Sequence, residues 1–306
     1  MKHADATARG APDSLSPMPA WVTGPRSQTP DDVAFLSGAA LGALHSVLGR
    51  TEVPQGVFRD RLALAAAEAC LALAGRPERA RALRDEVHLL RPGEVPGPGG
   101  AVFALWRRAV RVPLGRDGLR GVRTLLPGAV AAVRPDGGRE GRGAVARAAV
   151  LLEAVLAAHP RQEAAALILA DATLARAFGW SHMVPLLAGG LKRRDLALTG
   201  AGLRLACHRA AHAGAVEAHR VALDLARRAA HLRAVAPKLR AKGAEAAVAL
   251  FLAEDALAPA LALSPFVRGS TIAMTDRAAR RLCARLVALG AVRELTGRPD
   301  FRLYGL

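Results

Sequence analysis

The chain has 306 residues, 52% of them hydrophobic and only 4% aromatic. That excludes general disorder, and apolar content made mainly of Ala, Leu and Val favours packed helices over a β-rich fold. The formal charge of +17 and isoelectric point of about 11.4 admit two readings, an acidic partner, of which nucleic acid is the commonest, or a generically basic surface on an arginine-biased chain.

In chain order, Met1 to Pro30 is rich in Pro, Ser, Thr and Gly without an apolar period, and is expected to be a disordered leader. It contains no continuous apolar segment of a signal peptide. Asp31 and Asp32 are placed to cap a first helix carrying Phe35, Leu36, Leu41 and Leu44. A second helix runs through Leu62, Leu64 and Leu73, and Gly75 and Pro77 separate it from a third that ends near Leu90. Phe103, Leu105 and Trp106 open another helix beyond the Pro/Gly loop Glu94 to Gly100. The run Arg134 to Gly143 reads as an interior linker, and a helical pair follows, Ala144 to Ala158 and Arg161 to Phe178, broken at His159-Pro160. Helices resume over Leu203 to Ala211 and Val216 to Val235, with Gly214 expected to interrupt them. Between Asp224 and Glu245 no acid occurs, whereas Arg227, Arg228, Arg233, Lys238, Arg240 and Lys242 do, giving a basic arm that leads into the last segment.

That last segment carries the most specific pattern. Thr275 suits an N-cap and Gly290 a C-terminal stop, with a helix between them. Successive residues 100° apart place Ala278, Leu282, Leu286 and Leu289 on one side and Arg277, Arg280, Arg281 and Ala284 on the other. Beyond Gly290 the pattern turns extended: Ala291 to Thr296, a turn at Gly297 to Asp300, then Phe301 to Tyr304, with Val292, Leu295, Phe301 and Leu303 available for packing. Helix, glycine, strand, basic tip and strand is the order of a recognition helix and its wing. A major groove admits one helix whose arginines reach base edges or phosphates, while a wing sets a further cation beside the backbone. Thr275, Arg277, Arg280, Arg281, Arg298 and Arg302 are therefore the expected DNA-binding residues.

The run Thr275 to Tyr304, above all Leu286 to Arg298 followed by Arg302-Leu-Tyr304, resembles the winged-helix tails of bacterial Fic-type adenylyltransferases. The resemblance departs over Leu261 to Met274, where Pro265, Gly269 and Ser270 loosen the expected second helix and turn. No His followed by a Gly-Asn-Gly-Arg phosphate loop occurs, so no Fic activity is implied. Across its length the chain resembles an uncharacterised bacterial domain-of-unknown-function family (fourteen-oh-three), through Phe35 to Ala40, Arg61 to Ala65, Phe178-Gly-Trp180 and Phe301 to Leu306. That resemblance implies no activity.

The expected architecture is all-α: a multi-helix orthogonal or stacked domain over Asp31 to Val235, then a winged helix-turn-helix with a short β-hairpin over Ala236 to Leu306. Other chemistry is set aside. Cys207, His208, His212 and His219 lack a tetrahedral metal spacing, and the three cysteines Cys70, Cys207 and Cys283 are unpaired in spacing, as suits a reducing cytoplasm. Gly137, Gly138, Gly141 and Gly143 lack the Lys-Ser or Lys-Thr step of a phosphate loop. Glu254-Asp255 reads as capping or solvated charge, and Trp180 with Phe178, His182 and Met183 as an aromatic anchor rather than a pocket. No cofactor, metal, membrane or enzymatic activity is expected. The expected partner is double-stranded DNA, bound by a transcriptional or replicon-associated regulator whose helical body forms a homodimer or senses a partner. The alternative is a non-enzymatic helical adaptor whose winged helix contacts protein.

Overall fold

The computed structural model describes residues 15–24, 29–91, 93–115, 118–134, 143–298 and 300–306. Its helices in chain order are α1 (Ala20–Thr23), α2 (Pro30–His45), α3 (Gln55–Leu73), α4 (Ala80–His88), α5 (Pro98–Ala109), α6 (Arg120–Arg123) and α7 (Gly128–Ala132). They continue as α8 (Ala144–Ala158), α9 (Glu163–Ala177), α10 (Gly200–Val235), α11 (Ala244–Ala253), α12 (Pro259–Ala262) and α13 (Asp276–Ala288). Two short strands, β1 (Arg293–Glu294) and β2 (Tyr304–Gly305), close the chain. The fold is mostly helical, as composition predicts, and no helix among the described residues is long and apolar enough to cross a membrane.

Local chemistry fixes the element ends. The α2 cap is Thr29, not Asp31: its hydroxyl accepts from the Asp32 amide at 3.2 Å. Pro30 then takes the first helical turn, where its missing N–H costs nothing, and Asp31 and Asp32 face the positive end of the helix dipole. Gly75 ends α3 with φ of 75°, and the Arg76 amide reaches back to the Leu71 carbonyl at 2.8 Å. Within the stretch expected as a leader, Ala20–Thr23 forms a helical turn whose Val22 is buried against the core. The expected interior linker lies outside the described residues over 135–142.

The 36-residue α10 spans about 54 Å and is the axis of the body, packing along α2 and α8 while α8 pairs with α9 and α3 with α5. It runs unbroken through Gly214, which corrects the expected interruption. The glycine is needed for approach, not for a break. A Cβ there would stand 2.4 Å from the Leu186 carbonyl oxygen, because the segment after Trp180 crosses the helix at that point. At Gly190 the same close approach recurs, 2.5 Å from the Ala210 Cα.

After α10 the chain makes a short 3₁₀ turn (Ala236–Lys238), which Pro237 suits, and Gly243 with φ of 83° starts α11. Helix, a single bridge at Leu257, the four-residue α12, α13 and a hairpin then follow. Leu257 and Tyr304 exchange backbone hydrogen bonds at 2.8 and 2.9 Å, while β1 pairs antiparallel with β2, Glu294 opposite Tyr304. The loosened segment before α13 holds a small hairpin instead of a full second helix: Phe266 bridges Ala273, and the buried Val267 donates its amide to the Ile272 carbonyl at 2.9 Å while its own carbonyl accepts from the Ser270 amide and hydroxyl at 2.9 and 2.8 Å. One continuous hydrophobic cluster includes Val22, Trp106, Leu225, Phe251, Leu286 and Leu306, so apolar contact runs across the boundary expected at Val235.

Candidate nucleic-acid interface

Thr275 is the α13 cap, its hydroxyl oxygen accepting from the Ala278 amide at 3.3 Å. Ala279, Leu282, Cys283 and Leu286 are buried, a face turned slightly from the one expected, with Ala278 and Leu289 only half-buried. The opposite side leaves Arg277, Arg280, Arg281, Ala284 and Arg285 exposed. Helical periodicity alone places these cations outward, because an arginine on the packing face would bury an unpaired charge.

Between α13 and the turn that follows α10 lies an open groove of about 570 Å³. Lys238 and Arg240 line it from the turn, Arg277, Arg281 and Arg285 from the helix, and Leu239, Ala278 and Leu282 supply apolar surface. No carboxylate lines it, and none of these five cations makes an ion pair among the described residues. Arg280 differs: it pairs with Asp276 at 2.6 Å, one turn back on its own helix, and stands outside the groove. Sequence reading identified Thr275, Arg277 and Arg281 in this site and noted the basic arm, but did not join Lys238 and Arg240 to the helix or include Arg285. The signal was there in the acid-free stretch; which two of its cations meet α13 depends on how the 3₁₀ turn folds back.

The hairpin cations sit elsewhere. Arg298 pairs with the largely buried Asp85 of α4 at 2.7 Å, and Arg302 contacts Glu294 at 3.6 Å and donates to the Arg298 carbonyl at 2.9 Å. The tip is fastened to the helical body. Phe301, expected to pack, is 70% exposed with φ of 53°, whereas Leu303 and Val292 are buried as expected. Replacing Arg298 by Ala should therefore lower stability by about 1 kcal/mol and leave nucleic-acid affinity within about two-fold, as read by parallel melting and binding curves. An affinity loss without a stability loss would return the tip to the binding surface.

Other candidates resolve into structure. His208 Nδ1 lies 2.6 Å from the Ser37 hydroxyl and His212 Nε2 2.8 Å from the Val22 carbonyl, joining α10 to α2 and α1, while His219 is buried. No group of three or more His, Cys, Asp or Glu is arranged for a metal ion among the described residues. Trp180 is buried, stacked on Phe178 at 5.4 Å, and donates to His45 Nδ1 at 2.9 Å. The three cysteines are free and buried, and burial pushes each thiol up to about 12. Of the Gly-rich loop, only Gly143 falls among the described residues, as the residue preceding α8.

Glu254-Asp255 is the clearest correction. Asp255 is fully buried, not a solvated cap, and Arg61 reaches its Oδ1 at 2.8 and 2.6 Å while Arg84 reaches Oδ2 at 3.0 Å. Glu254 binds Arg268 through both oxygens at 2.9 and 3.0 Å, and lies 3.6 Å from Arg107, which with Arg111 holds the buried Asp60. Arg61 and Arg293 also donate to the Leu306 carbonyl, each at 3.2 Å. These contacts seat the end of α11, the turn at Arg268 and the terminal hairpin on α3 to α5, and α13 packs in turn against α12 and β1.

A family model described as protein of unknown function (DUF1403) matches residues 7–306. No curated protein and no solved structure matches the chain, so the likeness of its tail to Fic-type proteins is not reproduced.

Proposed function

We propose that the chain, which belongs to this DUF1403 family, is a DNA-binding protein, a transcriptional or replicon-associated regulator whose C-terminal unit is a winged helix docking on duplex DNA. The observation that carries the reading is the groove beside α13, where five cations converge without a carboxylate. Clustering like charges is unfavourable in isolation; an anion of several charges offsets it. Support also comes from the order of α11, the Leu257 bridge, the four-residue α12, α13 and the antiparallel hairpin, which we read as a winged helix with a shortened second helix. In this reading Arg277, Arg281 and Arg285 of α13 hold phosphates together with Thr275, Lys238 and Arg240. The hairpin tip serves to anchor the unit.

The test is fluorescence anisotropy of the full chain with labelled duplexes at about 50 and 200 mM salt. If the five cations contact about five phosphates, affinity falls roughly 10²- to 10³-fold between these conditions. The triple variant Arg277→Gln/Arg281→Gln/Arg285→Gln should bind at least ten-fold more weakly at the lower salt. Affinity independent of salt, or no binding at the lower salt, would contradict the proposal.

A further inference from the structure

We infer that the groove seats a run of phosphates from a single nucleic-acid strand, so that its contact is with the backbone and is indifferent to base sequence; this rests on the DNA-binding reading above. Three features point there. The first is shape. A helix reading the major groove must project from its neighbours along its reading face, but here Arg277, Arg281 and Arg285 share a concave groove with Lys238 and Arg240 from a second element. One wall on each side admits a single sugar-phosphate backbone, that of a lone strand or of one strand at the edge of a duplex, not the floor of a major groove.

The second feature is spacing. Arg277, Arg281 and Arg285 follow one another at four-residue intervals, about 6 Å apart along the helix axis, so the three span about 12 Å. A linear array of that length suits consecutive phosphates of an extended strand better than one compact anion. Thr275 lies at its head, where the hydroxyl proton remains available because the oxygen serves the Ala278 amide as acceptor. The first-turn amides of the 13-residue α13 add their partial positive charge at the same end. Asp276, the acid nearest that end, is outside the groove and neutralised by Arg280.

The third is what the lining lacks. It contains no Asn or Gln to read adenine edges and no aromatic ring on which bases stack. Leu239, Ala278 and Leu282 offer only apolar surface, so five cations and one hydroxyl are the recognition groups, and their common ligand is phosphate.

The test uses the full chain and three probes: a labelled thymidine homopolymer strand, two labelled duplexes of unrelated sequence, and unlabelled inorganic tripolyphosphate as competitor. The strand and both duplexes should bind within about three-fold of one another, and tripolyphosphate should compete only at far higher concentration. Lys238→Gln and Arg281→Gln, surface changes whose folding is checked by circular dichroism, should each reduce the salt slope by about 0.7 on the strand. Arg280→Gln should leave it unchanged. A strong preference for one duplex that disappears with Arg280→Gln would overturn the inference in favour of base reading by the outward face, with DNA binding intact. Tight tripolyphosphate binding that displaces the strand would assign the groove to a small free anion instead. Failure of every nucleic-acid probe to bind would remove the function itself.

Discussion

Asp255→Ala should lower the unfolding free energy by about 3–5 kcal/mol, the usual consequence of removing one member of a buried charge cluster and stranding the others. The carboxylate is fully buried, and with it gone Arg61 and Arg84 face each other across its site. The consequence reaches the end of the chain. Arg61 bridges Asp255 and the Leu306 carbonyl, and the Asp255 backbone lies so close to Gly305 that a Cβ there would stand 2.3 Å from its oxygen. The seat of the terminal hairpin thus loosens together with the charge cluster. Melting by circular dichroism should show a fall on the order of 10 °C. The triple variant Asp255→Leu/Arg61→Met/Arg84→Met should recover part of the loss, because an apolar replacement of the whole cluster strands no charge. A single variant melting within about 1 °C of the parent would show that the cluster does not hold the tail.

The pairing also explains what the sequence disclosed and what it withheld. Ala144–Ala158 was legible to the residue because its stops are local, a glycine before it and His159-Pro160 after it. The α13 cap and its cationic face were legible because both follow from a 3.6-residue period. Gly214 misled, since the signal of a helix break and that of a backbone crossing are the same residue; only Leu186, far away in sequence, distinguishes them. Asp255 misled for the same reason in charge. An acid beside another acid at a helix end looks solvated unless Arg61 and Arg84, more than a hundred residues earlier, are known to converge on it. The groove falls between these cases: its helix was visible from local period, its second wall only from tertiary contact.

Stability against pH should peak in the region of pH 6–7, because two buried groups in the body titrate in opposite senses. His88, half of whose ring polar capacity is unmet at Nε2, is pushed down to about 3 by burial first and then by the Arg107 charge, against the opposing effect of Asp255. Unfolded, it takes a proton near 6.5; folded, it refuses one. Its contribution is therefore complete above about 6.5 and is lost progressively as pH falls towards 3, a change on the order of 5 kcal/mol. His182, His208 and His219, also lowered mainly by burial, add to the same acid loss. Asp171 runs the other way. Burial raises it to about 8, despite amides of Leu186 and Leu187 donating to its Oδ1 at 3.2 Å each, so the folded chain keeps a proton that the unfolded chain releases near 4. Its contribution is complete below about 4 and is lost as pH rises to 8. Between 4 and 6.5 His88 and Asp171 act in opposite senses, the other three histidines favour a climb and Asp85, also raised mainly by burial, opposes it, so stability rises towards 6.5. Above 6.5 the histidines no longer contribute and Asp171 sets the decline. Below 4, Asp255 joins the acid loss: burial raises its carboxyl, but the Arg61 and Arg84 charges prevail and hold it below the ordinary value. Asp171→Asn keeps the acceptor for both amides and cannot ionise, so the decline from 6.5 to 8 should flatten while the acid limb remains. His88→Leu should do the reverse, leaving the alkaline decline and making the climb from 4 to 6.5 shallower. Urea midpoints at pH 4, 6.5 and 8 for parent and both variants give the comparison, and a parent whose midpoint rises steadily through 8 would exclude a protonated Asp171 from the core.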